Sequence, residues 1–392
     1  MRRISDSYTF IETCKLIFVG IFPLRKSIQK NTPTHEPRKF SLSARKLNTF
    51  TLRCNPQTIE LETGGMNDIF KVKNISQQTI VSFIFLIMFA GFSVFLPGFF
   101  ATGNLLGLLQ NVAILGILGL AMAIIVIGRG IDISMVAVLA VPAGLLLQMV
   151  QNGHSLSMAF AAAIGIALLF GLVNGWLIAF AEVPSLFTTL ASGLFLAGLG
   201  QVAFFRLDVV QWSTALDPIA WIGRGTLMGV PMPVIMYAGV AVFVAFFLKK
   251  TRLGNFVYAI GDNPTGARTT GIPTRPLIVL QYVIAALIGA FAGMVMAASI
   301  DSMPTRIYNS TMIYDVILVV VLGGIGLSGG RGGVVNVVIG TALIGTLLNG
   351  MTIMDVSYSA QNLIKGLILL IAILIDSFLN PRNEETAQQG DI

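Results

Sequence analysis

Residues 74–128 read NISQQTIVSFIFLIMFAGFSVFLPGFFATGNLLGLLQNVAILGILGLAMAIIVIG, without one Asp, Glu, Lys or Arg. A helix needs about 20 mostly apolar residues to cross a bilayer, so this stretch holds two crossings, placed at 76–97 and 105–127. Residues 133–181 are free of the same four residue types and hold two more, at 133–151 and 156–180. Across the chain of 392 residues, 55% are hydrophobic and 11% charged, against roughly a quarter charged in an average soluble domain. Water is not the main solvent of this protein.

Apolar runs between charges and turn residues give six further crossings, at 185–205, 231–248, 276–299, 312–329, 334–351 and 358–378. The expected fold is an all-α polytopic membrane protein with about ten transmembrane helices. GGIGLSGGRGG at 323–333 fits either a clean loop between the eighth and ninth or a broken, re-entrant element. Many of the 41 glycines lie inside spans, where small residues let helices approach closely. Lys365 falls within the last span and has to face protein or water, since an ammonium in lipid is costly.

The net charge of +7 sits mostly at the front: residues 1–66 carry 11 Lys or Arg and 5 Asp or Glu. Residues 1–65, which include Cys14 and Cys54, read as a disordered leader or an over-long gene start, and residues 66–380 as the membrane domain with a cytoplasmic tail at 381–392. Nucleic acid is not an expected partner of a body so nearly neutral; membrane lipid is. With the body starting inside, ten basic residues fall on the cytoplasmic side and three, Arg206, Arg224 and Arg306, outside. That bias, with an even number of crossings, puts both termini in the cytoplasm.

The longest basic connection is KKTRLGNFVYAIGDNPTGARTTGIPTRP, residues 249–276, where Phe256, Tyr258 and Ile260 alternate with polar neighbours as in short surface helices. Its pattern T-x-x-G, Y-A-I-G-x-N-P, A-R-x-x-G-I resembles the cytoplasmic loop of the ribose, xylose and galactose importer permeases, within the ATP-binding-cassette superfamily. FFATGNLLGLLQNVAILGILGLAMAIIVIGRGIDIS (99–134), FGLVNGWLIAFAEVPSLFTTLAS (170–192) and LGGIGLSGGRGGVVNVVIGTALIGTLLNGM (322–351) are similar to further segments of that family, in the family's order. The resemblance covers roughly residues 76–378. It departs at Arg129, where the family has G-G-I-D-L-S, and at Val183, Pro184 and Ser185, where a double proline is common.

The resemblance implies an alternating-access permease for a monosaccharide, in a bacterial inner membrane. Its implied partners are a second permease copy or paralogue, a cytoplasmic ATPase that carries the ATP and Mg, and a periplasmic sugar-binding protein. It makes 249–276 the ATPase-coupling loop, with Thr251, Gly254, Tyr258, Ala259, Gly261, Asn263, Pro264, Ala267, Arg268 and Gly271 matching the motif. Branched-chain amino acids or nucleosides are the alternative cargo, and an ion-coupled secondary transporter the alternative class. Few carboxylates lie within the spans to serve the latter.

Single polar residues keep two readings. Asp132, with Ser134, either caps the third helix or pairs with Arg129 or another helix and switches during transport. Asn174 and Asn349, each followed by Gly, either bond between helices or line the translocation path. Thr188, Thr189 and Ser192 either meet water in that path or bond back to their own helix. No G-x-x-x-x-G-K-[ST] loop, catalytic constellation or metal cluster is legible, and His35 and His154 stand isolated. This chain is expected to bind no cofactor and to leave ATP hydrolysis to another subunit.

Overall fold

The computed structural model describes residues 39–44, 47–55, 58–62 and 77–379. The chain divides between Asn74 and Ile75 into two units. In the first, β1 (Lys39–Ala44), β2 (Leu47–Asn55) and β3 (Thr58–Glu62) form an antiparallel meander in the order β1-β2-β3, with Leu42 opposite Phe50 and Cys54 opposite Ile59. These strands occupy the part of the expected leader that is described. The rest of it, with Cys14, and the tail at 381–392 lie outside the described residues.

The second unit is helical: α1 (Gln77–Phe95), α2 (Thr102–Ile127), α3 (Met135–Gln151), α4 (Leu156–Ala179), α5 (Ser185–Leu199), α6 (Asp217–Arg224), α7 (Met232–Lys250), α8 (Arg252–Asp262), α9 (Pro264–Thr269), α10 (Thr274–Ser299), α11 (Met312–Leu322), α12 (Val334–Ile353) and α13 (Tyr358–Leu379). α5 continues to Phe205 through a π-helical turn, and short strands at Val209–Gln211 and Ser302–Pro304 pair at one end of the bundle. Of the helices in the described residues, eight are long and apolar enough to cross a membrane. α3 and α11, with 17 and 11 residues, are not. At 1.5 Å per residue they measure about 26 and 17 Å, against a hydrocarbon core of about 30 Å.

Both short helices are explained by what surrounds them. α3 is buried on all sides, packed by α4, α5 and α10, so it has no need to match the thickness of lipid. α11 stops at Leu322, and an irregular glycine-rich segment, 323–333, leads to the start of α12. The eighth expected span is thus a half-helix plus a broken element. Non-helical backbone survives at such depth only where protein satisfies it. Here the Asn336 amide donates to the Gly323 carbonyl (2.7 Å), and the Leu327 N–H donates to the Asp376 carboxylate (3.3 Å).

α2 and α3 form the centre, with α10 laid against both and against α4. Small residues make this possible: a methyl group on Gly171 or Gly175 of α4 would run into the Val283 or Val279 backbone of α10, and one on Gly293 of α10 into the Leu139 carbonyl of α3. α1 and α13 lie at the periphery and expose Phe83, Leu86, Leu363, Leu367 and Leu370, as lipid-facing helices do.

The two ends of the helical body lie at one face. Gln78, at the start of α1, donates to Asn336 at the start of α12 (2.6 Å), and Asp376, near the end of α13, accepts from Leu327. Both ends therefore lie at the face formed by the connections 128–134, 249–276 and 323–333, which carries Arg129, Lys249, Lys250, Arg252, Arg268 and Arg331. At the opposite face Arg224 pairs with Asp301, and Arg306 with Asp208 at 2.7 Å. The unequal supply of basic residues is the pattern the positive-inside bias gives a cytoplasmic face.

Candidate functional site

The basic connection 249–276 folds as a helical hairpin. Thr251 ends α7 and caps α8: its hydroxyl donates to the Phe247 carbonyl (2.6 Å) and accepts the Gly254 N–H (3.0 Å). Gly254 lets α8 turn back tightly, since a methyl there would meet the Phe247 and Leu248 carbonyls. The Ala259 carbonyl accepts the N–H of Asn263 (3.1 Å), and the Asn263 side chain caps α9 by accepting from Gly266 (2.8 Å), with Pro264 in the first helical position. Gly271, at φ +82°, ends α9 in the left-handed region, and Ile272 donates to the Ala267 carbonyl (3.0 Å). Ala267 is buried with Ile260 and Leu277, while Phe256 and Ile272 close the cluster from outside. Arg268 reaches Thr274 at 3.3 Å and is otherwise turned outward.

The expected coupling residues thus divide into two groups. Gly254, Gly261 and Ala267 are buried and shape the hairpin or seat it on the bundle. Asn263, Arg268 and Gly271 are exposed, together with Leu253, Asn255, Asp262 and Thr265, and form the face turned away from the membrane body. Tyr258 bridges the groups: its hydroxyl donates to the Gly332 carbonyl (2.8 Å), and burial pushes its pKa above the ordinary 10.0. The phenol therefore stays protonated, and a donor, through the neutral range.

A second constellation forms at the broken entry to α3. The first N–H groups of a helix lack intrahelical partners. In α3 no side chain caps them, and the side chains bond the irregular residues just before the helix: Asp132 accepts from the Ser134 N–H (2.8 Å) and hydroxyl, Thr189 accepts from Ile133 (3.1 Å), and Ser185 accepts from Ile131 (3.3 Å). The Asn174 amide donates to the Ser134 hydroxyl (3.0 Å). Asp132, Ser134, Asn174 and Thr189 are all buried, so α4 and α5 hold the segment that leads into α3. Asp132 bonds Ser134, the residue before α3, and caps none of the N–H groups of the helix proper, while Arg129 extends toward the carbonyls of Ser328 and Asp262.

The four residues expected along a path are not brought together. Asn174 and Thr189 belong to the α3 entry. Thr188, with Ser192, sits on the wall of an open groove between α4 and α5 that is otherwise apolar, lined by Phe170, Phe187 and Phe195. Asn349, near the opposite face, exchanges two amide hydrogen bonds with Asn104 (3.0 and 2.9 Å). Sequence reasoning gave Lys365 a need for protein but no partner. The structure pairs it with Asp315 of α11 at 2.8 Å and with Thr311 at 3.0 Å, in the seam between α11 and α13. Fifty positions separate the two, and no periodic signal links them.

A bundle of crossing helices with a broken half-helix, small-residue packing and a protruding basic hairpin defines a multi-pass membrane transport protein. Residues 104–373 match the family described as branched-chain amino acid transport system / permease component, and the chain belongs to that family. It is similar to the ribose import permease protein of Escherichia coli K12, 30% identical over 77% of this chain and 94% of the relative, and to that of Bacillus subtilis, 34% identical over 72% and 88%. The xylose transport system permease protein of Haemophilus influenzae is 29% identical over 79% and 98%. The chain is a transport permease.

Proposed function

We propose that this chain is the membrane-spanning subunit of an ATP-binding-cassette importer that carries a monosaccharide across the inner membrane by alternating access. The observation that carries the reading is the α8–α9 hairpin: a capped, basic element that stands on the cytoplasmic face and continues directly from α7. Such an element lets a separate ATPase push on the bundle. The cargo follows from the relatives, whose names specify ribose, xylose and galactofuranose permeases, whereas branched-chain amino acids enter through the family's description alone. A second permease copy or paralogue, a cytoplasmic ATPase holding ATP and Mg, and a periplasmic binding protein complete the machine. Asn263, Arg268 and their exposed neighbours form the docking face.

The test is uptake of labelled ribose, xylose and galactose by proteoliposomes containing the chain with an ABC ATPase subunit and a sugar-binding protein. ATP-dependent uptake of one sugar, unaffected by excess leucine and by a protonophore, is the expected result. Uptake that proceeds without the ATPase and collapses with the proton gradient would make the chain a secondary transporter.

A further inference from the structure

The glycine-rich segment 323–333 is more than a link between α11 and α12. Gly324, Gly329, Gly330 and Gly332 all have positive φ, so the segment has no regular structure of its own and takes its course from its neighbours. Across residues 328–332 it is held at every second position. The Arg129 Nε donates to the Ser328 carbonyl (2.8 Å), the Gly330 N–H donates to the Ile127 carbonyl (2.8 Å), and the Tyr258 hydroxyl donates to the Gly332 carbonyl (2.8 Å). Gly261 of the hairpin closes the same junction, with room for no side chain between the Ile127 carbonyl and the Gly330 amide.

Arg129 is the unusual member. It is a non-glycine residue at φ +70°, in a backbone conformation that strains a side chain and persists only when the surroundings hold it. Its guanidinium spans two partners, Ser328 of the segment and, at 3.4 Å, the Asp262 carbonyl at the end of α8. A fork of fixed geometry reaches two carbonyls at once, as an ammonium does less well.

We propose that Arg129 is the positioning residue through which the α8–α9 hairpin moves the glycine-rich segment, so that a push on the hairpin displaces the ends of α11 and α12. The inference rests on the importer reading for the source of the push. The tether itself is a property of this chain. A hairpin that met the bundle only through its own helix packing would need neither the strained arginine nor bonds to the backbone carbonyls of a glycine-rich segment.

The experiment has two arms. In the full chain, purified in detergent, hydrogen exchange at the amides of 326–333 is compared for the natural protein, Arg129→Gly, Arg129→Lys and Tyr258→Phe. Arg129→Gly, which relieves the positive φ while removing the tether, should raise exchange there about tenfold, and Arg129→Lys by less. In the reconstituted importer, sugar moved per ATP hydrolysed should fall about fivefold or more in Arg129→Gly and recover in part in Arg129→Lys. Unchanged exchange overturns the tether whether or not the complex transports sugar. Raised exchange with uptake and hydrolysis falling in parallel overturns the positioning role. Should Arg129→Gly fail to fold, Arg129→Lys and Tyr258→Phe carry the same comparisons, and an unchanged ratio in both defeats the proposal.

Discussion

Replacing Lys365 by Met leaves Asp315 as an uncompensated carboxylate between α11 and α13. The two side chains are only 6% and 13% exposed, so solvent screens little of the interaction. Removing one partner of such a pair costs about 3–5 kcal/mol, because the remaining charge stays buried. Thr311, which also bonds Lys365, keeps Tyr358 and Asn362 as partners and recovers a small part of the loss. At roughly 2–4 °C per kcal/mol for a domain of a few hundred residues, 3 kcal/mol lowers the midpoint of thermal unfolding by about 6–12 °C. Asp315→Leu alone strands the ammonium and falls by a similar amount. The double variant, Lys365→Met with Asp315→Leu, fills the site with apolar volume and returns to within about 1 kcal/mol of the natural protein. Fluorescence-detected unfolding in detergent measures all four proteins. A Lys365→Met midpoint equal to that of the natural protein, or a double variant as unstable as the sum of the singles, would refute a buried, mutually dependent pair.

Gly261→Leu cannot be seated against the Ile127 carbonyl, so it lifts the hairpin and lowers uptake at least about tenfold; normal uptake by proteoliposomes would show that the hairpin does not rest there. Asn104→Leu or Asn349→Leu leaves one half-buried amide without its partner at a cost of about 1 kcal/mol, while the double variant recovers part of it; midpoints that simply add would remove the pairing from the account. Gly293→Val drives a side chain into the Leu139 carbonyl, and detergent-stable protein recovered by size exclusion should fall several-fold. The Tyr258 phenol, raised by burial above 10.0, retains its proton when the unfolded chain would lose it, so its share of stability is complete below pH 10 and declines above it. A midpoint that falls above pH 10 in the natural protein and less in Tyr258→Phe is the expected result.

Hydropathy and charge gaps located the crossing helices because the bilayer imposes length and apolarity on each segment locally. α2 begins at Thr102 against an expected 105, and α4 spans Leu156–Ala179 against 156–180. α11 was different: the apolar run 312–329 continues through Gly323–Gly326, and hydropathy does not register that Gly324 and Gly329 take positive φ and leave the helix. The motif in 249–276 marked the hairpin but not the separate duties of its residues. Gly261 is set by a carbonyl more than 130 positions earlier, and Ala267 by Leu277 across a turn. Partners such as Asn104 for Asn349, or Asp315 for Lys365, arise from helix pairing in three dimensions and leave no trace in the local sequence.

The three bonds that hold 328–332 all end on main-chain atoms. Ser328, Gly330 and Gly332 are thus recognised by what every residue shares, and nothing in the junction reads their chemical identity. What it does read is bulk, since Gly329, Gly330 and Gly332 each face atoms where a methyl group would stand. Random mutagenesis of this segment should therefore find every replacement of Gly329, Gly330 or Gly332 harmful, alanine included, because each meets both a positive φ and atoms already in place, while Ser328 accepts other residues.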